Sequence, residues 1–248
     1  MRQLEGQVAV VTGASRGVGQ VIADALEARG LVVARVARSA TPFTADVADP
    51  AAVDRLKTEI EAQLGPPTVV VNAAGIFGPI AQIKDSDPQD WIETLMIDTV
   101  GPYLVSRAFI DGMLAAGWGR IINLSSAAAL HTPGPLNSAY ATAKVALNQL
   151  TRHLAAELEG QDVTANVIHP GDVKTAMWAD IRDKTTASEH SGGNYDNWVA
   201  WVEETGGDPP EKAAKLVLDI IESSINGRFL WIDDPLQRPI PSWGDEDG

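Results

Sequence analysis

Tyr140 and Lys144 stand four residues apart near the start of a helical stretch, a spacing that turns both side chains to one face. A free phenol, with a pKa of about 10, is a poor base near neutrality. An ammonium one helical turn away favours the phenolate and draws that value toward the working pH. Ser126, fourteen residues upstream, ends an apolar run and is placed to donate a hydrogen bond to a substrate oxygen. The chemistry on offer is proton transfer at an oxygen. On most helices a Tyr-x-x-x-Lys pair is only a solvated couple, so its meaning depends on its surroundings.

The strongest surrounding feature is Val8-Ala-Val-Val-Thr-Gly-Ala-Ser-Arg-Gly-Val-Gly19, an apolar strand running into a glycine-rich turn that opens a helix. Gly13, Gly17 and Gly19 permit a tight turn and a close backbone approach, with Ser15, Arg16 and Val18 between them. Unpartnered N–H groups of the helix's first turn and the positive end of its dipole suit a phosphate or pyrophosphate. The spacing is GxxxGxG and not the commoner GxGxxG. Two other readings stand beside this one. The glycines can serve packing alone, and Gly13-Ala-Ser-Arg-Gly17 also satisfies the G-x-S-x-G elbow of hydrolases. The elbow needs an oxyanion loop from a strand before its serine, and the fourteen residues preceding Ser15 hold only one strand. Ser15→Ala would have to abolish ester cleavage if that reading were right.

At 248 residues the chain fits one α/β domain, with 176–207 as a lid and 233–248 as a tail. Apolar runs alternate with helical stretches. Strands are predicted at 8–12, 31–36, 44–45, 68–71, 120–124, 163–168 and 229–232, and helices at about 16–29, 50–63, 88–116, 138–159 and 210–224. Right-handed crossovers then give an α/β, Rossmann-like doubly wound parallel sheet of about seven strands with helices on both faces. A formal charge of −14 argues against nucleic-acid partners. The chain has no cysteine, which excludes disulfides and thiolate sites. Its four histidines lack metal-ligand spacing, so no metal is expected. With neither a secretory signal nor an apolar run of membrane-spanning length, a cytoplasmic location without membrane partners is the expectation.

Ligands of such sheets bind at the carboxyl ends of the strands. Those ends read Thr12-Gly13, Ala37-Arg38, Asp46, Asn72-Ala-Ala-Gly75, Ser125-Ser126 and His169-Pro170-Gly171. Over nearly its full length the chain resembles the short-chain dehydrogenase/reductase family. The matching motifs are Thr12-Gly-Ala-Ser-Arg-Gly-Val-Gly19, Asp46-Val47, Asn72-Ala-Ala-Gly75, Ser126, Tyr140-Ala-Thr-Ala-Lys144 and Pro170-Gly-Asp-Val-Lys-Thr175. The resemblance implies that Tyr140 is the acid/base, that Ser126 polarises the carbonyl, and that Lys144 tunes Tyr140 and holds the nicotinamide ribose. It places Asp46 and Val47 near the adenine, and Asn72 beside the adenosine ribose with Ala73 and Gly75. Pro170, Gly171, Val173 and Thr175 fall at the nicotinamide end. It also implies a homodimer or homotetramer paired through the long helices.

One position departs from the family. Asp98, in Ile97-Asp-Thr-Val-Gly101, stands where the family carries an asparagine that seats a water between the lysine and solvent. An ionised aspartate cannot donate, and its charge offsets that of Lys144, so the alkaline requirement is expected to rise; a tolerated near-isostere is the other reading. Cofactor choice follows from the second strand, which closes on Ala37 and Arg38 without a carboxylate. Arg38 and Arg16 suit a 2′-phosphate, favouring NADP(H) over NAD(H). His131, Leu136 and Trp178, with Tyr195, Trp198 and Trp201, are candidates to line a site for an apolar or aromatic ketone, although Trp198, Trp201 and Val202 also fit a helix packing its own face. The expected function is interconversion of a small-molecule carbonyl and secondary alcohol. The alternative is an NADP(H)-binding regulator that has lost turnover.

Overall fold

Strands β1 (Val8–Thr12), β4 (Val69–Asn72), β5 (Gly119–Leu124) and β6 (Val163–His169) are buried at every residue, as strands covered on both faces must be. With β2 (Val32–Ala37), β3 (Phe43–Thr44) and β7 (Phe229–Trp231) they form one parallel sheet in the order β3-β2-β1-β4-β5-β6-β7. This is a computed structural model, and it describes residues 3–130, 134–187 and 194–233. The order reverses between β1 and β4, opening the crevice where ligands of such sheets bind.

Alternate side chains of each strand feed opposite cores. On one side Val10, Val70 and Ile121 meet α2 (Pro50–Leu64), α4 (Gly101–Ala116) and α5 (Ser138–Glu157). On the other, Val11, Val71 and Ile122 meet α1 (Gly17–Ala28) and α8 (Pro210–Ile221). The helix expected over 88–116 is not uniform. Helix α3 (Pro88–Leu95) passes into a π-helical turn, Met96–Val100, before α4 begins. Pro102 has no N–H to offer the Asp98 carbonyl in an α-helical ladder, and the Gly101 N–H reaches back five residues to the Met96 carbonyl. Asp98 lies in this wider turn. Residues 176–207 contain α6 (Ala176–Ala187) and α7 (Asn194–Thr205), and an antiparallel bridge between Val173 and Gly207 closes their base.

A polar ladder crosses the first core. The Asn72 amide donates to the Asn123 Oδ1 at 2.8 Å, Asn123 donates to the Thr151 Oγ1 at 2.8 Å, and Thr151 donates to the Leu147 carbonyl at 2.8 Å. It fixes α5, and so Tyr140 and Lys144, against the strand ends. Asn123→Ala strands these partners in a buried place and is expected to cost about 1–3 kcal/mol. The check is a lower urea midpoint with an unchanged m-value.

Candidate active site

The glycine turn is shaped by steric limits. Gly13 has φ +68°, and a Cβ there would lie 2.7 Å from the Ala73 carbonyl oxygen; one on Gly19 would lie 2.5 Å from the Gly13 oxygen. Only glycine lets β1, the start of α1 and the segment after β4 pack this closely. Thr12 Oγ1 reinforces the approach by accepting from the Ala73 and Ala74 N–H groups, each at 3.1 Å. The first turn of α1 holds no acidic residue and its N-cap, Arg16, makes no side-chain cap, so the helix opens on free N–H groups. Above it runs a cleft of about 400 Å³, with Ser15, Arg16, Val18, Arg38, Asp46 and Val47 at one end and Ile76, Tyr140, Lys144, Pro170, Thr175 and Met177 at the other.

At the second end the four candidate catalytic residues meet. Ser126 Oγ accepts from the Ala128 N–H at 3.2 Å, and its hydroxyl acts on the Tyr140 phenol by lowering its pKa. Lys144 Nζ donates to the Leu124 carbonyl at 3.0 Å and pairs with Asp98 Oδ2 at 3.0 Å. Asp98 is fully buried, and its Oδ1 accepts from the Ile76 N–H at 2.9 Å. Burial pushes the Asp98 carboxyl up, while Lys144 and the Ile76 N–H pull it down. On Lys144 burial acts downward, but Asp98 and Tyr140 outweigh it and hold the ammonium protonated. For Tyr140, burial raises the phenol, Lys144 lowers it, and Asp98 raises it again; the net direction is up.

Several expected residues lie elsewhere. The Asn72 side chain is turned into the polar ladder, away from the cleft, because its place on β4 faces Asn123 in register. Gly171 faces Ile232 and Asp208 behind the site, and Val173 lines an adjoining cleft with Gly17 and Thr175. Leu136 is buried, with its carbonyl accepting from the Ala81 N–H. Trp178 is buried between two cations, Lys174 Nζ at 5.0 Å and Arg182 Cζ at 5.1 Å from its ring centre, and does not reach the cleft. His131 lies outside the described residues. Within α7, Trp198 packs toward Tyr140, Val202 is buried and Trp201 is exposed. Sequence reasoning missed Phe77, whose ring centre is 4.7 Å from that of Tyr140, and Met177. The one available signal for Phe77 was an aromatic two residues beyond Gly75.

The pattern of the short chain dehydrogenase family matches residues 7–186, from the first strand through the Tyr140–Lys144 helix to α6. The chain belongs to the short chain dehydrogenase family. It is 30% identical over 230 residues to the 2,3-dihydro-2,3-dihydroxybenzoate dehydrogenase of Bacillus subtilis (strain 168), covering 86% of this chain and 85% of that one. It is 32% identical over 207 residues to a short chain dehydrogenase of Pseudocercospora fijiensis (strain CIRAD86), covering 76% of this chain and 66% of that one, just under two thirds of the relative's length. The ligand-free aldohexose dehydrogenase of Thermoplasma acidophilum has the same fold, with a TM-score of 0.79, 25% identity and coverage of 96% and 98%. The family comprises oxidoreductases that use nicotinamide cofactors on small molecules.

In this short chain dehydrogenase burial pushes the Tyr140 phenol up, and Asp98 offsets the downward pull of Lys144 on it. With Tyr140 as the expected base of an alcohol oxidation, the phenolate is required and the rate is expected to rise with pH through the Tyr140 pKa. Asp98→Asn removes the charge that raises that pKa. The rising limb of the oxidation profile is expected to move to lower pH. Superimposable profiles of the two proteins would refute the coupling.

Proposed function

We propose that this protein is an NADP(H)-dependent carbonyl reductase or alcohol dehydrogenase with Tyr140 as general acid/base. The observation that carries the reading is the meeting of Tyr140 and Lys144 at one end of a cleft whose other end is the glycine turn, with Ser126 acting on the Tyr140 phenol. The donors and space fit a nicotinamide dinucleotide: backbone N–H groups at the turn, a floor that no Cβ could enter, and Lys144 with one donor left after Asp98 and the Leu124 carbonyl.

Arg16 and Arg38 support the 2′-phosphate form. Both are exposed at the cleft and neither makes an ion pair among the described residues. Arg35, three residues from Arg38, is instead engaged by Asp24 and Glu27. No carboxylate closes β2 to claim a ribose 2′-hydroxyl or repel a phosphate.

When bound, the nicotinamide supplies or accepts the hydride at the carbonyl carbon. Ser126 donates a hydrogen bond to the substrate oxygen, and Tyr140 passes its proton to that oxygen in reduction or takes it back in oxidation. A raised Tyr140 pKa keeps the phenol protonated over the neutral range, which suits reduction. Exposed Tyr103 and Leu114 on α4 and Val145 on α5 offer the long helices to a second copy of the chain.

Tyr140→Phe is expected to lower kcat by about a hundredfold or more in a ketone panel followed through NADPH absorbance. Its nucleotide affinity should stay close to that of the wild type. A binding-only regulator would keep its signalling in this variant and show no turnover in either protein. Arg38→Asp should swing the ratio of kcat/KM for NADPH over NADH at least about tenfold toward NADH; an unchanged ratio would remove the phosphate assignment.

A further inference from the structure

Ser126 stands just past the end of β5, still in extended backbone. The ladder from β6 makes its last rung one residue earlier, where the Ser125 N–H donates to the Ile168 carbonyl at 2.8 Å. Leu124 pairs with Ile168 in the parallel register, so the next rungs would take the Pro170 N–H to the Ser125 carbonyl and the Ala127 N–H to the Pro170 carbonyl. Proline has no N–H, and the ladder stops there. The Ala127 N–H goes instead to a side chain, donating to His169 Nδ1 at 3.3 Å.

From Ser126 the chain bends into a 3-10 turn over Ala127–Ala129. Ser126 Oγ accepts from the Ala128 N–H at 3.2 Å, the Ser126 carbonyl accepts from the Ala129 N–H at 3.0 Å, and the Leu130 N–H returns to the Ala127 carbonyl at 2.9 Å. Those three bonds close within the turn. The bond from Ala127 is the one that reaches another element, and it ties the turn to the end of β6.

His169 is itself held in place. It is buried, and its ring meets Trp231 of β7, its partner in the strand register, edge-on with ring centres 4.7 Å apart and planes at 75°. A ring nitrogen that accepts carries no hydrogen, so the imidazole is neutral with its hydrogen on Nε2. Packing against Trp231 alone would be served by a phenyl ring; the imidazole adds an acceptor where the ladder has run out.

Taking Ser126 as the hydroxyl that polarises the carbonyl of the proposed reaction, we propose that His169 is a positioning residue that acts through Ser126. Its neutral ring anchors the turn that aims the Ser126 hydroxyl. Ser126 Oγ uses one lone pair on the Ala128 N–H, which leaves its own hydrogen to donate, and a turn that drifts carries that donor with it. Misplacing such a group by about 1 Å is enough to cost on the order of a hundredfold in rate.

The test pairs His169→Phe, which keeps a ring against Trp231 but removes the acceptor, with His169→Asn, whose side-chain oxygen stands as far along the side chain as Nδ1 does. Each is assayed with NADPH and the ketone that the wild type reduces fastest. His169→Phe should lower kcat at least about tenfold while its dissociation constant for NADPH stays within about twofold of the wild-type value. His169→Asn should recover most of the lost kcat. Long-range 1H–15N NMR of wild-type protein carrying 15N-labelled histidine, assigned by the signal missing in His169→Asn, should show the Nε2–H tautomer near neutrality. That measurement decides even where His169→Phe folds poorly. A hydrogen on Nδ1, wild-type turnover in His169→Phe, or an equal loss in both variants overturns the positioning role and leaves the carbonyl reading intact. Failure of every ketone with both NADPH and NADH overturns the carbonyl reading, and the positioning role with it.

Discussion

A protonated lysine in the interior of a protein must be met by a counter-charge, or it loses its proton or destabilises the fold. In this chain that demand falls on Lys144, and Asp98 meets it at 3.0 Å. The pair is also a structural tie. Asp98 belongs to the π-helical turn between α3 and α4, its second oxygen holds the Ile76 N–H, and Lys144 grips the Leu124 carbonyl at the end of β5. Four segments far apart in sequence, α5 among them, are held by one carboxylate and one ammonium. Phe77, next to Ile76, is thereby set against Tyr140. Tuning of the phenol and shaping of its surroundings have one origin.

The sheet makes this meeting possible. All seven strands run parallel, so their carboxyl ends reach the same edge, and the connections after β1 and β4 leave to opposite faces at the switch of strand order. Glycines at 13 and 19 allow the backbone to close on the segment after β4. The Asn72–Asn123–Thr151 ladder then keys α5 to β4 and β5 from within the core. A buried polar ladder whose donors are satisfied specifies one register, whereas apolar contacts alone tolerate sliding.

Much of this was legible in the sequence, for physical reasons that also mark where legibility ends. The parallel sheet follows from apolar runs alternating with helical stretches, and the tight turn at 13–19 from glycines between a strand and a helix. The break at Met96–Val100 was hidden because the apolar pattern runs on through it; only Gly101-Pro102 hinted at a change of ladder. Asn72 was placed at the end of β4, but its bond to Asn123 was not legible, since strand sequence does not say which buried face meets an amide from the neighbouring strand. Trp178 read as a cleft residue, yet Lys174, just before α6, and Arg182, one turn further along it, both stand over its ring. Phe77 lies in a segment without periodicity, so its contact with Tyr140 arises only in the folded chain.

The claim on which the rest turns is that burial, with Asp98 offsetting the opposing pull of Lys144, keeps the Tyr140 phenol protonated well into the alkaline range. The chain has only three tyrosines, Tyr103, Tyr140 and Tyr195, so an NMR titration of protein carrying 13C-labelled tyrosine resolves each ring, with Tyr140→Phe assigning its signal. Without added nucleotide, Tyr140 should titrate above the ordinary phenol value of about 10 and move downward in Asp98→Asn. A Tyr140 signal that titrates at or below that value, or ignores the Asp98 substitution, would contradict it.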